Sequence, residues 1–193
     1  MLEKIRAYFE KGSPLTEEQF SMIKSLFLSK NLKKGDFVLR EGEVARYGAF
    51  VASGCLRSYA VDNKGKEHIL QFAPENWWIS DMQSLRNGTP SSLFIEAIED
   101  SDVLLIDTPS FTKLMEVIPS IAASFQTGLQ KRNAASDNRI IASLSTSAEE
   151  RYHNFLATYQ TIAQRIPQHM LASYLGITPE TLSRIRKKLS RKK

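Results

Sequence analysis

Near the C-terminus, Glu180, Thr181, Ser183 and Arg184 fall within four residues of one another. On a helix the spacing of three and four between Glu180, Ser183 and Arg184 puts them on one face. A glutamate there can accept a hydrogen bond from the N4 amine of cytosine, and an arginine can pair through both nitrogens with guanine. Lys187, Lys188 and Arg191 follow, with Lys192 and Lys193 beyond them, and such cations neutralise phosphates. Thr178 and Pro179 stand just before this group, a hydroxyl that can cap a helix and a ring suited to its first position. The chemistry on offer is recognition of a polyanion by hydrogen bonding, and it is expected to involve Thr178, Glu180, Thr181, Ser183, Arg184, Lys187, Lys188 and Arg191.

Covalent and metal chemistry find less support. His68, His153 and His169 are scattered and show no ligand spacing, so no metal site is expected. No catalytic residue and no cofactor are assigned, and the chain is not expected to be an enzyme. Cys55, the single cysteine, has only Arg57 as a nearby basic residue and reads as a buried strand cysteine rather than a redox sensor. Trp77-Trp78 reads as core packing or an interdomain contact, with an apolar ligand wall as the other reading.

The elements around the basic face are a helix-turn-helix. In Ile166 to Ile185, Met170, Leu171 and Leu175 give a first helix a buried face, and Ala172 permits a close crossing. Gly176 supplies the positive φ that ends this helix, and Ile177 fills the corner. Leu182, Ile185 and Leu189 form the inner face of the second helix. A structural helical hairpin would explain the apolar spacing but not the Glu and Arg face followed by a basic run.

Upstream the period changes twice. Residues 2–29 read as two helices broken at Gly12-Ser13-Pro14, the second capped by Thr16 with Gln19 three residues on. Residues 32–107 hold short β-rich runs separated by glycines, with a hairpin signal at Asp62-Asn63-Lys64-Gly65. Many short strands at close spacing indicate a jelly roll or sandwich. No glycine-rich phosphate loop follows a strand, which argues against a nucleotide-binding α/β fold. Helix returns from Pro109, with a long helix from 119 to about 143, expected to pair with its twin through Phe125, Leu129 and Ile140, and another over about 147–162.

Composition agrees. The chain has 193 residues, 42% hydrophobic and 24% charged, with a net charge of +5. The last ten residues hold seven of the 26 basic side chains and no acid, which leaves 19 against 21 acidic residues in the rest. A nearly neutral body with a cationic end suits a polyanionic partner. No apolar run is long enough to span a membrane, and no signal-peptide core opens the chain, so a cytoplasmic location is expected.

A glycine-punctuated barrel, a long helix and this motif together resemble the Crp/Fnr family of bacterial transcription regulators. The resemblance rests on Lys34-Gly35-Asp36-Phe37-Val38-Leu39-Arg40-Glu41-Gly42-Glu43, on Phe50-Val51-Ala52-Ser53-Gly54-Cys55-Leu56-Arg57, and on Glu180-Thr181-Leu182-Ser183-Arg184. It implies base reading by Glu180, Ser183 and Arg184. Pro179 stands where the Crp branch often carries a further DNA-contacting arginine. Only four residues follow Leu189, where relatives continue into a β-hairpin wing, so a truncated wing is expected, with the basic tail a candidate to replace its contacts. In cyclic-nucleotide-binding members a Gly-Glu-Leu turn holds the ribose and an arginine pairs with the phosphate. The corresponding places are Ser80-Asp81-Met82 and Ser91-Ser92, so Ser91 replaces the arginine. Arg86, near them in sequence, is a candidate substitute cation, and Ser136 falls near the family's base-contacting hydroxyl. Candidate ligand residues are therefore Asp81, Arg86, Ser91, Ser92 and Ser136, and loss of the charge-assisted phosphate pair argues against cyclic AMP.

The expected fold is α+β: an N-terminal jelly-roll β-barrel of the cyclic-nucleotide-binding type over 1–118, a dimerisation helix over 119–145, and a helix-turn-helix domain over 146–193. The expected partners are double-stranded DNA, a second copy of the chain in a homodimer, an unidentified small-molecule effector, and RNA polymerase if the protein activates. The reading from another class is a small-molecule-binding barrel whose helical tail serves protein interaction.

Overall fold

A computed structural model describes residues 1–190, apart from the side chains of 124, 127–129, 131–135 and 137. Arg191, Lys192 and Lys193, expected to hold phosphates, and Leu129, expected on the pairing helix, lie outside the described residues. Eight strands form two antiparallel four-stranded sheets among these residues. One sheet has the order β1 (Leu28–Leu32), β8 (Ser101–Asp107), β3 (Tyr47–Ser53), β6 (Trp78–Ile79). The other has β2 (Phe37–Leu39), β7 (Phe94–Ala97), β4 (Leu56–Val61), β5 (Glu67–Ala73). Among the described residues the helices are α1 (Leu2–Phe9), α2 (Glu17–Leu26), α3 (Met82–Asn87), α4 (Thr108–Val117), α5 (Pro119–Ser145), α6 (Ala148–Thr158), α7 (Gln168–Leu175) and α8 (Pro179–Ser190).

Side-chain alternation sorts the residues into layers. Between the sheets lie Leu39, Ala49, Val51, Leu56, Ala73, Ile95, Val103 and Leu105. On the outer face of the first sheet, Phe50, Leu104 and Ile106 pack on Ile5, Phe9, Phe20, Ile23 and Leu114 of the helices. On the outer face of the second sheet, Cys55, Tyr59, Ile69 and Phe72 pack on Tyr152, Phe155, Tyr159, Ile162 and Leu171 of the C-terminal helices. That third layer carries a buried arginine: Arg57 pairs with Glu67 and Glu96 and lies over the Tyr59 ring at 4.0 Å.

Several local expectations hold. Thr16 and Gln19 form a capping box on α2. The β4–β5 turn closes through Gly65 N–H to Asp62 O, with Gly65 at φ 77°. Cys55 is fully buried, one residue ahead of β4. Others change. The helical pattern stops at Leu26, and Leu28, expected on that helix, opens β1 with its side chain exposed. Asp107 caps α4, so Pro109 stands at the second helical position. The helix after Ser147 ends at Thr158 instead of near 162. Phe125, expected on the pairing face of the long helix, packs within its own chain against Trp78 and Phe111.

Candidate nucleic-acid interface and its relation to the barrel

The candidate face stands on α8, which is held by α7. Gly176 ends α7 at φ 67°, the left-handed turn its missing Cβ allows. Leu171, Ala172 and Leu175 are buried against Leu182 and Ile185 of α8. This fixes α8 by its inner face and leaves Glu180, Ser183, Arg184, Lys187 and Lys188 exposed. Thr178 accepts from the Thr181 amide at 3.3 Å, a capping bond for α8. Thr181 Oγ1 in turn lies 3.2 Å from the Arg184 Nη2 that donates to it. A hydrogen bond with Thr178 holds the Glu180 carboxyl below its usual range. Glu180 therefore remains an ionised acceptor near neutral pH. Lys188 differs from its neighbours: its Nζ pairs with Glu149 Oε2 at 2.6 Å, which reduces its charge for phosphate. Arg151 donates to Leu175 O at 3.0 Å and to Thr146 O at 2.7 Å. It thereby fastens the end of α7 to the end of α5.

In the barrel, two of the candidate ligand residues, Asp81 and Ser91, meet. Asp81 Oδ1 caps α3 by accepting from the amides of Gln83 and Ser84, each at 3.0 Å. Its Oδ2 accepts from the Ser91 hydroxyl at 2.7 Å. Ser91 is buried and its Oγ also accepts from the Leu93 amide at 2.9 Å. Ser84, which sequence reasoning missed, is buried beside them, accepting from Ala45 N at 2.8 Å and donating to Thr89 O at 2.6 Å. The remaining candidates do not join this cluster. Ser92 and Ser136 are exposed, and exposed Arg86 lines a shallow surface depression of about 330 Å³ with Met82, Gln83 and Asn87.

The two tryptophans go separate ways. Trp78 packs among Phe27, Phe50, Phe111 and Phe125, in the layer under α1, α2 and α4. Trp77 lies against Tyr159, with ring centroids 5.4 Å apart, and so faces the C-terminal helices. Among the described residues, no group of three or more His, Cys, Asp or Glu side chains is placed to hold a metal. No described helix is long and apolar enough to cross a membrane.

Residues 29–117 match the cyclic nucleotide-binding domain family. The chain is 26% identical over 185 residues to a probable transcriptional regulator, flp, of Lacticaseibacillus casei, covering 93% of this chain and 84% of that one. It is 25% identical to the cyclic AMP receptor protein of Thermus thermophilus, covering 91% of this chain and 84% of the relative. Over most of its length the chain is thus similar to transcription regulators of the Crp/Fnr type. Its fold is shared with FixK2 of Bradyrhizobium japonicum, at a TM-score of 0.72 and 23% identity over 86% of this chain and 85% of FixK2. In this chain the sequence motifs fall on α8, on β2 with the turn after it, and on the β3–β4 junction.

Proposed function

We propose that this chain is a Crp/Fnr-type regulator that acts in the cytoplasm as a homodimer, reads double-stranded DNA with α8 and takes no cyclic nucleotide in its barrel. The observation that supports reading is the exposed face of Glu180, Ser183, Arg184 and Lys187 on a helix whose other side is buried. A helix so mounted fits the major groove, and two of them in a two-fold dimer fit half-sites about one helical turn apart. The domains are taken as sensor 1–118, pairing helix 119–145 and reading domain 146–193. Pairing falls to the exposed apolar residues near the end of α5, of which Leu144 is 85% exposed. A side chain of that kind is costly to leave in water.

The negative proposal for the barrel rests on Asp81 and Ser91. A cyclic phosphate at this place would meet the Asp81 carboxylate and the Ser91 hydroxyl where a cation is needed, and an unpaired anion out of water is strongly unfavourable. The Ser91 hydroxyl already satisfies the Asp81 oxygen that is not capping α3. These residues do not fit a cyclic nucleotide.

Selection of DNA from a random pool, with and without cyclic AMP and cyclic GMP, tests both parts. An enriched inverted repeat that does not depend on either nucleotide is expected. Enrichment that requires a nucleotide overturns the barrel reading, and no enrichment at all overturns DNA reading. In parallel, sedimentation at micromolar concentration should show a dimer that Leu144→Glu converts to monomer.

A further inference from the structure

Strand β5 stands at the edge of its sheet, so one side of its backbone has no neighbouring strand. Unpaired edge groups must be satisfied or they invite foreign pairing. Here the C-terminal domain satisfies them. Ser173 of α7 donates its hydroxyl to Glu67 O at 2.8 Å and accepts from Ile69 N at 3.1 Å. One residue of a parallel strand would offer its N–H and C=O to the same two groups. A side-chain hydroxyl therefore occupies the place of a strand residue. Next along the edge, Arg139 of α5 donates to Leu70 O at 2.7 Å. Its guanidinium also lies 4.8 Å from the Tyr174 ring centroid, so one side chain touches α5, β5 and α7.

Beneath these bonds the apolar layer is continuous. Phe72 of β5 meets Phe155, Tyr159 and Tyr174 edge-on or tilted, and Cys55 is sealed in the same cluster. The reading face of α8 lies outside this contact and stays exposed. The contact therefore fixes where the reading head sits without covering what it reads.

We propose that Ser173 and Arg139 are positioning residues that mount the reading head on the open edge of β5, so that the barrel sets the separation of the two heads on a two-part DNA site. The part concerning DNA rests on the function proposed above. Loss of either residue releases the head from a fixed orientation. One head on one half-site is unaffected, whereas two heads on a full site lose the advantage of prearranged spacing.

Two measurements on the full chain test this. The first needs no DNA: the rate at which a disulfide reagent labels Cys55 under native conditions. Ser173→Ala and Arg139→Ala should each raise that rate roughly two- to tenfold, the equivalent of losing one or two hydrogen bonds. Arg139 is half-exposed on α5, so its truncation leaves folding intact even if the Ser173 variant proves unstable. The second compares affinity for a single half-site with affinity for the selected inverted repeat at several spacings. Both variants should keep half-site affinity, lose full-site affinity by a similar factor, and accept a wider range of spacings. Unchanged Cys55 labelling in both variants overturns the mounting. Equal losses on half-site and full site overturn the positioning role, since that pattern marks a general structural defect. Failure of the unaltered protein to select any DNA, with Cys55 labelling still responsive, overturns DNA reading and leaves the mounting supported.

Discussion

Thr181 stands between the α8 cap and Arg184, the arginine proposed to read DNA, within hydrogen-bond reach of both Thr178 and Arg184. A long guanidinium side chain is costly to order, and a neighbour that holds it in place lowers that cost. Arg184→Ala should weaken binding to the selected site by about 1–3 kcal/mol and relax preference at one guanine. Thr181→Ala should cost less, about 0.5–1.5 kcal/mol, the net worth of an ordinary hydrogen bond. If Thr181 acts through Arg184, its replacement in an Arg184→Ala background should add almost nothing. Titrations of the four proteins against one labelled duplex close this cycle, and additive losses would remove Thr181 from the role. The candidate face was legible because its residues are neighbours on one helix, as was the Thr178 cap. The Lys188–Glu149 pair was not legible, since its partners are 39 residues apart.

At the scale of elements, the junction of β3 and β4 shows what a single glycine permits. Gly54 has φ 85°, and a Cβ there would stand 2.7 Å from Asp100 O and press on the Ser101 side chain. Ser101 Oγ accepts from Cys55 N, so the close approach joins the chain turning between sheets to the start of β8. Gly65, in the β4–β5 turn, has a similar φ of 77° but open space around it. Gly65→Ala should therefore cost only the left-handed backbone, about 1–2 kcal/mol. Gly54→Ala should add about 1–3 kcal/mol of overpacking. Urea unfolding of both variants separates the two terms, and equal losses would mean that Ser101 moves aside freely. Strands with apolar alternation or continuous apolar runs were legible: β3, β4, β5 and β8 fall where their Val, Leu, Ile and Phe stand. The strand β1 was not, because Ser29, Lys30 and Asn31 carry no alternation and pairing with β8 decides their conformation. Nor was α3, whose six residues show no helical stripe and are held by the Asp81 cap and by Gly88 at φ 64°.

Across the whole molecule, the reading head meets the barrel through a layer whose members come from distant parts of the chain, and nothing in their spacing announced it. Arg165, on the segment between α6 and α7, pairs with Glu99 and with Glu75, the latter at 2.9 Å. These pairs close the margin of the apolar layer that holds Cys55, Phe72 and Tyr159. Burial and the surrounding carboxylates push the Cys55 thiol up to about 12, first through loss of water and then through Glu99. Burial alone would also raise the Glu75 carboxyl, but the Arg165 guanidinium and amide donors outweigh it and hold Glu75 below its ordinary 4.5. A carboxyl depressed in the folded state contributes stability that is complete above its unfolded value and lost as pH falls through its folded value. Head docking should therefore be constant above about pH 5.5 and weaken as pH drops below about 4.5. Glu75→Gln removes the titrating group and should flatten that part of the curve. The probe is the indole N–H resonance of Trp77, which lies against Tyr159 across the junction and is assigned by Trp77→Phe. It should move with falling pH in the unaltered protein and move less in the Glu75→Gln variant. Identical curves in the two proteins would show that the Arg165 pairs do not hold the head, leaving the β5 edge and the aromatic layer to do so.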